Sequence, residues 1–240
     1  MGNCMKTYRK LLLGVILLAG SSWHAAATAL EISWTGQPTT FPLTMSQAQI
    51  IGFGEFRFGM NQQQVESLIS TTWPQARVEQ QVDPVQRTTM LVFNVDDLAP
   101  VEEVDSPAPA TMTFIFGYRS EQLMAINLDW YAEGHATEAQ RLALLEAGSA
   151  YAALMLGDYW APMQSSRGHI LGDGTVLLFA GRDTQGRGVE VVVQGVALDV
   201  SRADGGIEHR PAPAGDARLH IGLSSMPDEP DIFRLPAGSF

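Results

Sequence analysis

The 240-residue chain carries 26 acidic against 15 basic side chains, a formal charge of −11, with 45% hydrophobic residues. So negative a chain lacks the clustered cations that nucleic acid or an anionic membrane surface requires of a partner, while its apolar content is that of a protein with a packed core. Its single cysteine, Cys4, precedes the first apolar run, so everything beyond that run is without disulfide, thiolate metal site or cysteine nucleophile.

Lys6, Arg9 and Lys10 lead into an apolar run from Leu11 to Gly20, and Ala25-Ala26-Ala27 and Ala27-Thr28-Ala29 each offer the small-x-small pattern of signal peptidase. This order predicts a signal peptide over 1–29, cleaved after Ala29, and a periplasmic or secreted mature chain. The run is shorter than the roughly 20 apolar residues of a spanning helix, and no later segment is long and apolar enough, so no membrane span is expected after cleavage. Cys4 stands before the apolar core and is not a lipoprotein cysteine. Whether translation starts at Met1 or Met5 stays open. Cleavage removes three basic residues and no acid, taking the charge from −11 to −14 and leaving arginine as the only cation type. A cysteine-free exported chain fits a bacterial envelope better than a secreted eukaryotic domain, which tends to carry disulfides.

Residues 30–53 read as an extended lead-in, with Trp34 and Phe41 as docking points. A short strand over Glu55 to Phe58 follows. Asn61 is a helix N-cap with Gln64 completing a capping box, Val65, Leu68 and Ile69 recur at helical spacing, and Trp73-Pro74 ends the helix. Strands are expected over Ala76 to Val82, Thr88 to Val95, Thr111 to Gly117 and Leu123 to Tyr131. In the last two, Met112, Phe114 and Phe116 alternate with threonines, and Met124, Ile126, Leu128 and Trp130 with Asn127 and Asp129: a sheet with one face buried and one wet. Asp96 to Ala110, acidic and proline-rich, reads as a solvated loop.

Thr137 with Gln140 caps a second helix running to about Leu156, with Leu142, Leu145 and Leu156 near one face and Gly157 at its end. Strands follow over Gly168 to Leu171, Thr175 to Ala180 and Val189 to Val200, turning at Asp173-Gly174 and at Asp183 to Gly186. After Val200 come Pro211, Pro213, Pro227, Pro230 and Pro236. Residues 201–240 therefore read as a Gly/Pro-rich tail, with one short strand over Arg218 to Leu223. The fold class is α+β, helices packed on antiparallel sheet. Helix then four strands, and helix then three, suggests two helix-plus-meander units in tandem (54–134 and 135–200 within a 54–200 domain), in one sheet or two.

The run from Phe58 to Ile69 (FGMNQQQVESLI) resembles the opening of the first helix in small bacterial envelope proteins, the SmpA/BamE-like outer-membrane lipoproteins that assist barrel assembly and relatives with the β-lactamase-inhibitor-like fold. The resemblance implies helices against an antiparallel sheet and a non-enzymatic, protein-binding role. It spans about a dozen residues. The family's Gly-x-Pro after the helix is replaced by Thr71-Thr72-Trp73-Pro74, its lipid-bearing cysteine is missing, and no functional residue is carried over.

Chemistry-bearing residues are sparse. His135 with Glu138, and His209 and His220 with Asp216, lack the ligand count and setting of a metal site. The run Gly181 to Gly188 lacks the Lys-Ser/Thr ending of a phosphate loop, and Asp183 lacks the alternating acids of a calcium loop. No Gly-x-Ser-x-Gly elbow is present, and Ser165, Ser166 and His169 have no orienting acid. Asp129 and Glu133 form one candidate carboxylate pair. Trp130, Tyr131, Tyr159 and Trp160 are the candidate ligand-binding set, aromatic residues that either wall a cleft or fill the core. Phe240 does not end a barrel strand, because Gly238, Pro236 and Arg234 break the alternation. The expectation is a non-catalytic envelope protein that binds another envelope protein or a small ligand, without metal, cofactor or nucleic acid. The alternative is a periplasmic hydrolase with a site assembled from distant residues.

Overall fold

The period-two patterns of the middle of the chain build one wide sheet. A computed structural model describes residues 47–101, 104–156, 160, 164–171, 174–201 and 205–235. The expected signal peptide, Trp34, Phe41, Gly157, Tyr159, Asp173 and Phe240 lie outside the described residues.

The elements run β1 (Gly52–Phe53), β2 (Phe56–Arg57), α1 (Gln62–Thr72), β3 (Glu79–Val82), β4 (Thr89–Val95), β5 (Ala110–Phe116), β6 (Leu123–Ala132), α2 (Glu138–Leu156), β7 (Ser165–Ile170), β8 (Val176–Arg182), β9 (Gly188–Gln194), β10 (Leu198–Ser201), β11 (Ile207–Arg210) and β12 (Ala217–Ser224). The architecture is α+β and sheet-dominated. Eight strands in the order β3-β4-β5-β6-β12-β9-β8-β7 form one sheet, antiparallel at every pairing. β1-β2 and β10-β11 are separate two-stranded ribbons. Among the described residues no helix is long and apolar enough to cross a membrane.

The alternation read in β5 and β6 sorts the sheet into two faces. Phe93, Met112, Leu128, Ile221 and Val191 lie in successive register on one face, each 2% exposed or less. Trp130 sits opposite Leu219 on the same face. A bulge near Ile115 and Phe116 sets Leu123, rather than Met124, against Phe116. Fully burying a side chain of this size contributes about 1.5–3 kcal/mol, so this face holds most of the core.

Both helices cover that face. The capping box of Asn61 and Gln64 starts α1 and Trp73 ends it, and α1 buries Val65 and Ile69. Beneath it, Phe56, Trp73, Phe93 and Phe114 pack ring against ring at 4.5–6.0 Å. Thr137 and Gln140 exchange the two bonds of a second capping box at the start of α2. The expected face of α2 is corrected. Leu142 and Leu156 are exposed, and Leu144, Ala147, Gly148, Tyr151 and Ala152 are buried. Small residues face the sheet because the helix lies close to it. A Cβ on Gly148 would stand 2.7 Å from Leu219 Cδ1 and 2.8 Å from Leu178 Cδ1.

Three further expectations change. The run Val189 to Val200 is two strands, broken at Gly195, whose φ of 73° leaves room for the Asp216 carbonyl 2.3 Å from where a Cβ would be. The acidic loop between β4 and β5 is anchored rather than fully solvated, because Leu98 and Val101 are buried and the Leu98 carbonyl accepts from Trp130 Nε1 at 2.8 Å. The strand expected in the tail is β12, and it lies between β6 and β9 in the middle of the sheet. The strands after α2 that join the sheet are thus four, β7, β8, β9 and β12, with the β10-β11 ribbon inserted before the last.

Beyond β12 the chain crosses the turn end of the sheet. Asp228 pairs with Arg182 at 2.9 Å. The Asp231 carboxylate accepts from the Arg119 and Ser120 N–H groups. Phe233 lies edge-on to Tyr118 and beneath the Arg87 guanidinium, 3.9 Å from its ring centroid.

Candidate functional site

The opposite face of the sheet has no helix over it among the described residues, and it gathers the polar side chains of every long strand. At its centre are Asp129 on β6, Arg218 and His220 on β12, and Glu190 on β9. Register puts His220 directly opposite Asp129. The Asp129 Oδ1 accepts from His220 Nδ1 at 2.7 Å and from Arg218 Nε and Nη2 at 2.9 and 2.5 Å. The Glu190 carboxylate stands 3.6 Å from His220 Nε2, an ion-pair distance too long for a hydrogen bond.

Gly222 makes this possible. It lies between Asn127 and Glu190 in the ladder, and a Cβ there would come within 2.9 Å of His220 Nε2 and 3.2 Å of Glu190 Oε1. The glycine leaves the space into which the imidazole leans.

These contacts fix the charge states. Burial works against the His220 imidazolium, but the bond to Asp129 and the Glu190 carboxylate outweigh it and raise the pKa to about 9. Burial would raise the Asp129 pKa, yet His220 and Arg218 hold it below its ordinary value. Glu190 is lowered chiefly by His220. At neutral pH the cluster therefore holds two anions and two cations. In these forms the Asp129 carboxylate is an acceptor and the His220 imidazolium a donor, and the two are spent on each other.

Beside the cluster runs a groove of about 590 Å³ across β6, β12, β9, β8 and β7. Two neighbouring cross-strand rows make its floor. One holds Asn127, Gly222, Glu190, Ala180 and Ser166, and the other Ala125, Ser224, Gly188 and Arg182. Small side chains at Ala125, Ala180, Gly188 and Gly222 keep it open, and Pro227 closes one flank against Gly188. Five strands at about 4.8 Å spacing give it a length of about 19 Å.

The sequence candidates are dispersed. Trp130 is buried beneath the β4–β5 loop. Tyr131, next on the strand, faces the other way, under the Arg218 guanidinium at 5.2 Å, in a separate 360 Å³ hollow with Thr111 and Glu133. Trp160 lies two strands beyond β12, edge-on to Phe179 at 5.1 Å and against Gly181. Tyr131 is turned away from the other two because adjacent strand positions point to opposite faces, and Trp160 is set apart from Trp130 by the strands between β6 and β8. Asp129 and Glu133 do not form an acid/base pair: Asp129 is bound to Arg218 and His220, and Glu133 is exposed. His209 pairs across its ribbon with Asp199 at 2.8 Å, Asp216 accepts from the Gly134 N–H at 2.7 Å, and His220 is in the cluster, so the three stand apart. His135 is exposed ahead of the Thr137 cap, and His169 is exposed on edge strand β7, while Ser165 and Ser166 line the groove. Asp183 is the key of the β8–β9 turn. Its carboxylate accepts from the N–H groups of Ile50, Gln185 and Arg187 and pairs with the Arg187 side chain at 3.0 Å. Arg218, Glu190 and Gly222 were missed by sequence reasoning.

Comparison with family models, with curated proteins and with solved structures finds no match for this chain.

Proposed function

We propose that the chain is an exported, non-catalytic binding protein of a bacterial envelope, which holds another envelope protein or a small ligand on the open face of its sheet. The observation that carries this reading is the one-sided layering: both helices lie on one face, and the other presents a 590 Å³ groove beside an internally neutralised ion cluster. The cluster suits recognition, since its charges are engaged with one another, Asp129 accepting from both His220 and Arg218. The leader pattern of residues 1–29 supports export, and helices against an antiparallel sheet agree with what the resemblance of Phe58 to Ile69 implies. We read the two runs of one helix and four strands as tandem units joined edge to edge at β6 and β12.

The test is to express the chain with its leader, determine the mass of the exported product, and capture it from envelope extract beside a variant with the groove filled, Ala125→Arg with Ala180→Arg. The reading expects cleavage after Ala29 and a partner or ligand held by the parent and lost from the variant. A product retained in the cytoplasm overturns export, and an exported but uncleaved one overturns cleavage after Ala29. Identical co-purifying material, or none with either protein, overturns recognition in the groove.

A further inference from the structure

On the helix-covered side of the sheet, away from the groove, the first two turns of α2 face the β10–β11 ribbon across a cavity of about 380 Å³. Leu142, Leu145, Val196 and Pro211 form its walls, and Leu142 is 52% exposed although it points into this hollow. Arg141 is also in the lining, yet the residue is only 9% exposed. Its Nε donates to the Ala136 carbonyl at 3.1 Å, one Nη to Gly215 at 2.7 Å and the other to Gly195. A guanidinium has five N–H donors, so two remain. Among the described residues no carboxylate pairs with it. Carbonyl dipoles satisfy its geometry and leave its charge without a counterion, and a buried unpaired charge is costly.

We propose that this cavity binds a small amphiphile with one anionic head group and an apolar tail, the head meeting Arg141 and the tail lying along Leu142 and Leu145. The volume falls in the lower part of the ~300–1,000 Å³ range of small-ligand sites, which suits a single short chain. The N-terminal turn of α2 adds positive potential at the same place. Two polar groups bound the site: Glu138, exposed in that turn, and His209, held by Asp199. Glu138 opposes an anion at the mouth, so the head must pass it and lie on the Arg141 side.

The experiment is titration calorimetry of the full chain at pH 7 with four probes: decanoate, decanol, decyltrimethylammonium and acetate. Decanoate is expected to bind saturably, decanol and the cationic chain about tenfold more weakly or worse, and acetate not measurably, since a hydrogen-bonded charge pair contributes that much. In Arg141→Gln the decanoate affinity falls about tenfold while that for decanol is unchanged. If Arg141→Gln fails to fold, Leu142→Glu serves instead, because Leu142 is exposed and its replacement is tolerated by the core; it weakens both long-chain probes. Decyl phosphate in place of decanoate distinguishes a phosphate head from a carboxylate. Equal affinity for decanoate and decanol, decanoate binding unchanged in Arg141→Gln, or no binding of any long-chain probe overturns the proposal.

Discussion

The His220 imidazolium makes a direct prediction about stability and pH. Its pKa is 6.5 when free and about 9 in the fold, raised against the effect of burial by Asp129 and Glu190. A group that binds its proton more tightly in the folded state stabilises the fold fully below the unfolded pKa and loses that contribution as pH rises through the folded one. The interval of about 2.5 pH units is worth about 3 kcal/mol at 1.36 kcal/mol per unit. The side chain is only 17% exposed, so solvent screens little of it. Urea unfolding of the parent and of His220→Gln, measured from pH 6.5 to 9.5, should show the parent losing about 3 kcal/mol more than the variant over that window. An NMR titration of the imidazole should find its midpoint near 9. Parallel stability curves, or a midpoint near 6.5, would refute the assignment of His220 as the charged centre of the face.

Gly222→Ala inserts a Cβ 2.9 Å from His220 Nε2; the overpacking should cost about 1–3 kcal/mol in urea unfolding and move the His220 midpoint downward, whereas an unchanged midpoint would mean that the imidazole does not need that space. Asp183→Ala strips the acceptor from three backbone N–H groups and leaves Arg187 without its carboxylate, only the Gln185 side chain remaining as a partner, and should cost about 3 kcal/mol or more; a loss under about 1 kcal/mol would show the turn to be held by other contacts. Thr88 is buried and its Oγ1 has no partner among the described residues, so Thr88→Val should be neutral or stabilising by up to about 1 kcal/mol, and a clear destabilisation would reveal a bonded hydroxyl.

Local chemistry was legible and long-range register was not. The alternation of β5, the capping residues Asn61 and Thr137 and the turn at Asp183 each follow from a few neighbouring residues, and each stands where the sequence puts it. The face of α2 did not follow, because leucines lie all round the helix and the choice between Leu142 and Gly148 is made by how closely the sheet approaches. β12 carries a clear alternation, Leu219, Ile221 and Leu223 against Arg218 and His220, but prolines on both sides gave it the look of a tail. The cluster was out of reach for the same reason. Asp129 was visible as an acid, yet its partners are 89 and 91 residues further on, and only the register of β6 with β12 brings them together.

That register is where fold and candidate function meet. β6 and β12 are the last strands of the two four-stranded runs, paired from Ala132 with Ala217 to Ala125 with Ser224. On the core face the seam is Trp130 with Leu219, Leu128 with Ile221 and Ile126 with Leu223, apolar contacts that carry little directional information. A slip of one residue would turn every side chain to the wrong face. A slip of two keeps the faces and costs the core far less, so the core alone does not forbid it. On the open face, however, a two-residue slip one way sets Gly222 opposite Asp129 and leaves a buried carboxylate without either cation, at a cost of several kcal/mol; the other way sets Arg218 opposite Asp129 but moves His220 opposite Asn127 and loses its bond to the carboxylate. The complete ion cluster therefore forms only in the native alignment of the two runs and favours it over either slip. The groove depends on that alignment, since its floor takes Ala125 and Asn127 from one run and Gly222, Glu190 and Ala180 from the other. Neither run builds the floor alone, and a ligand in the groove would bind only the correctly aligned sheet.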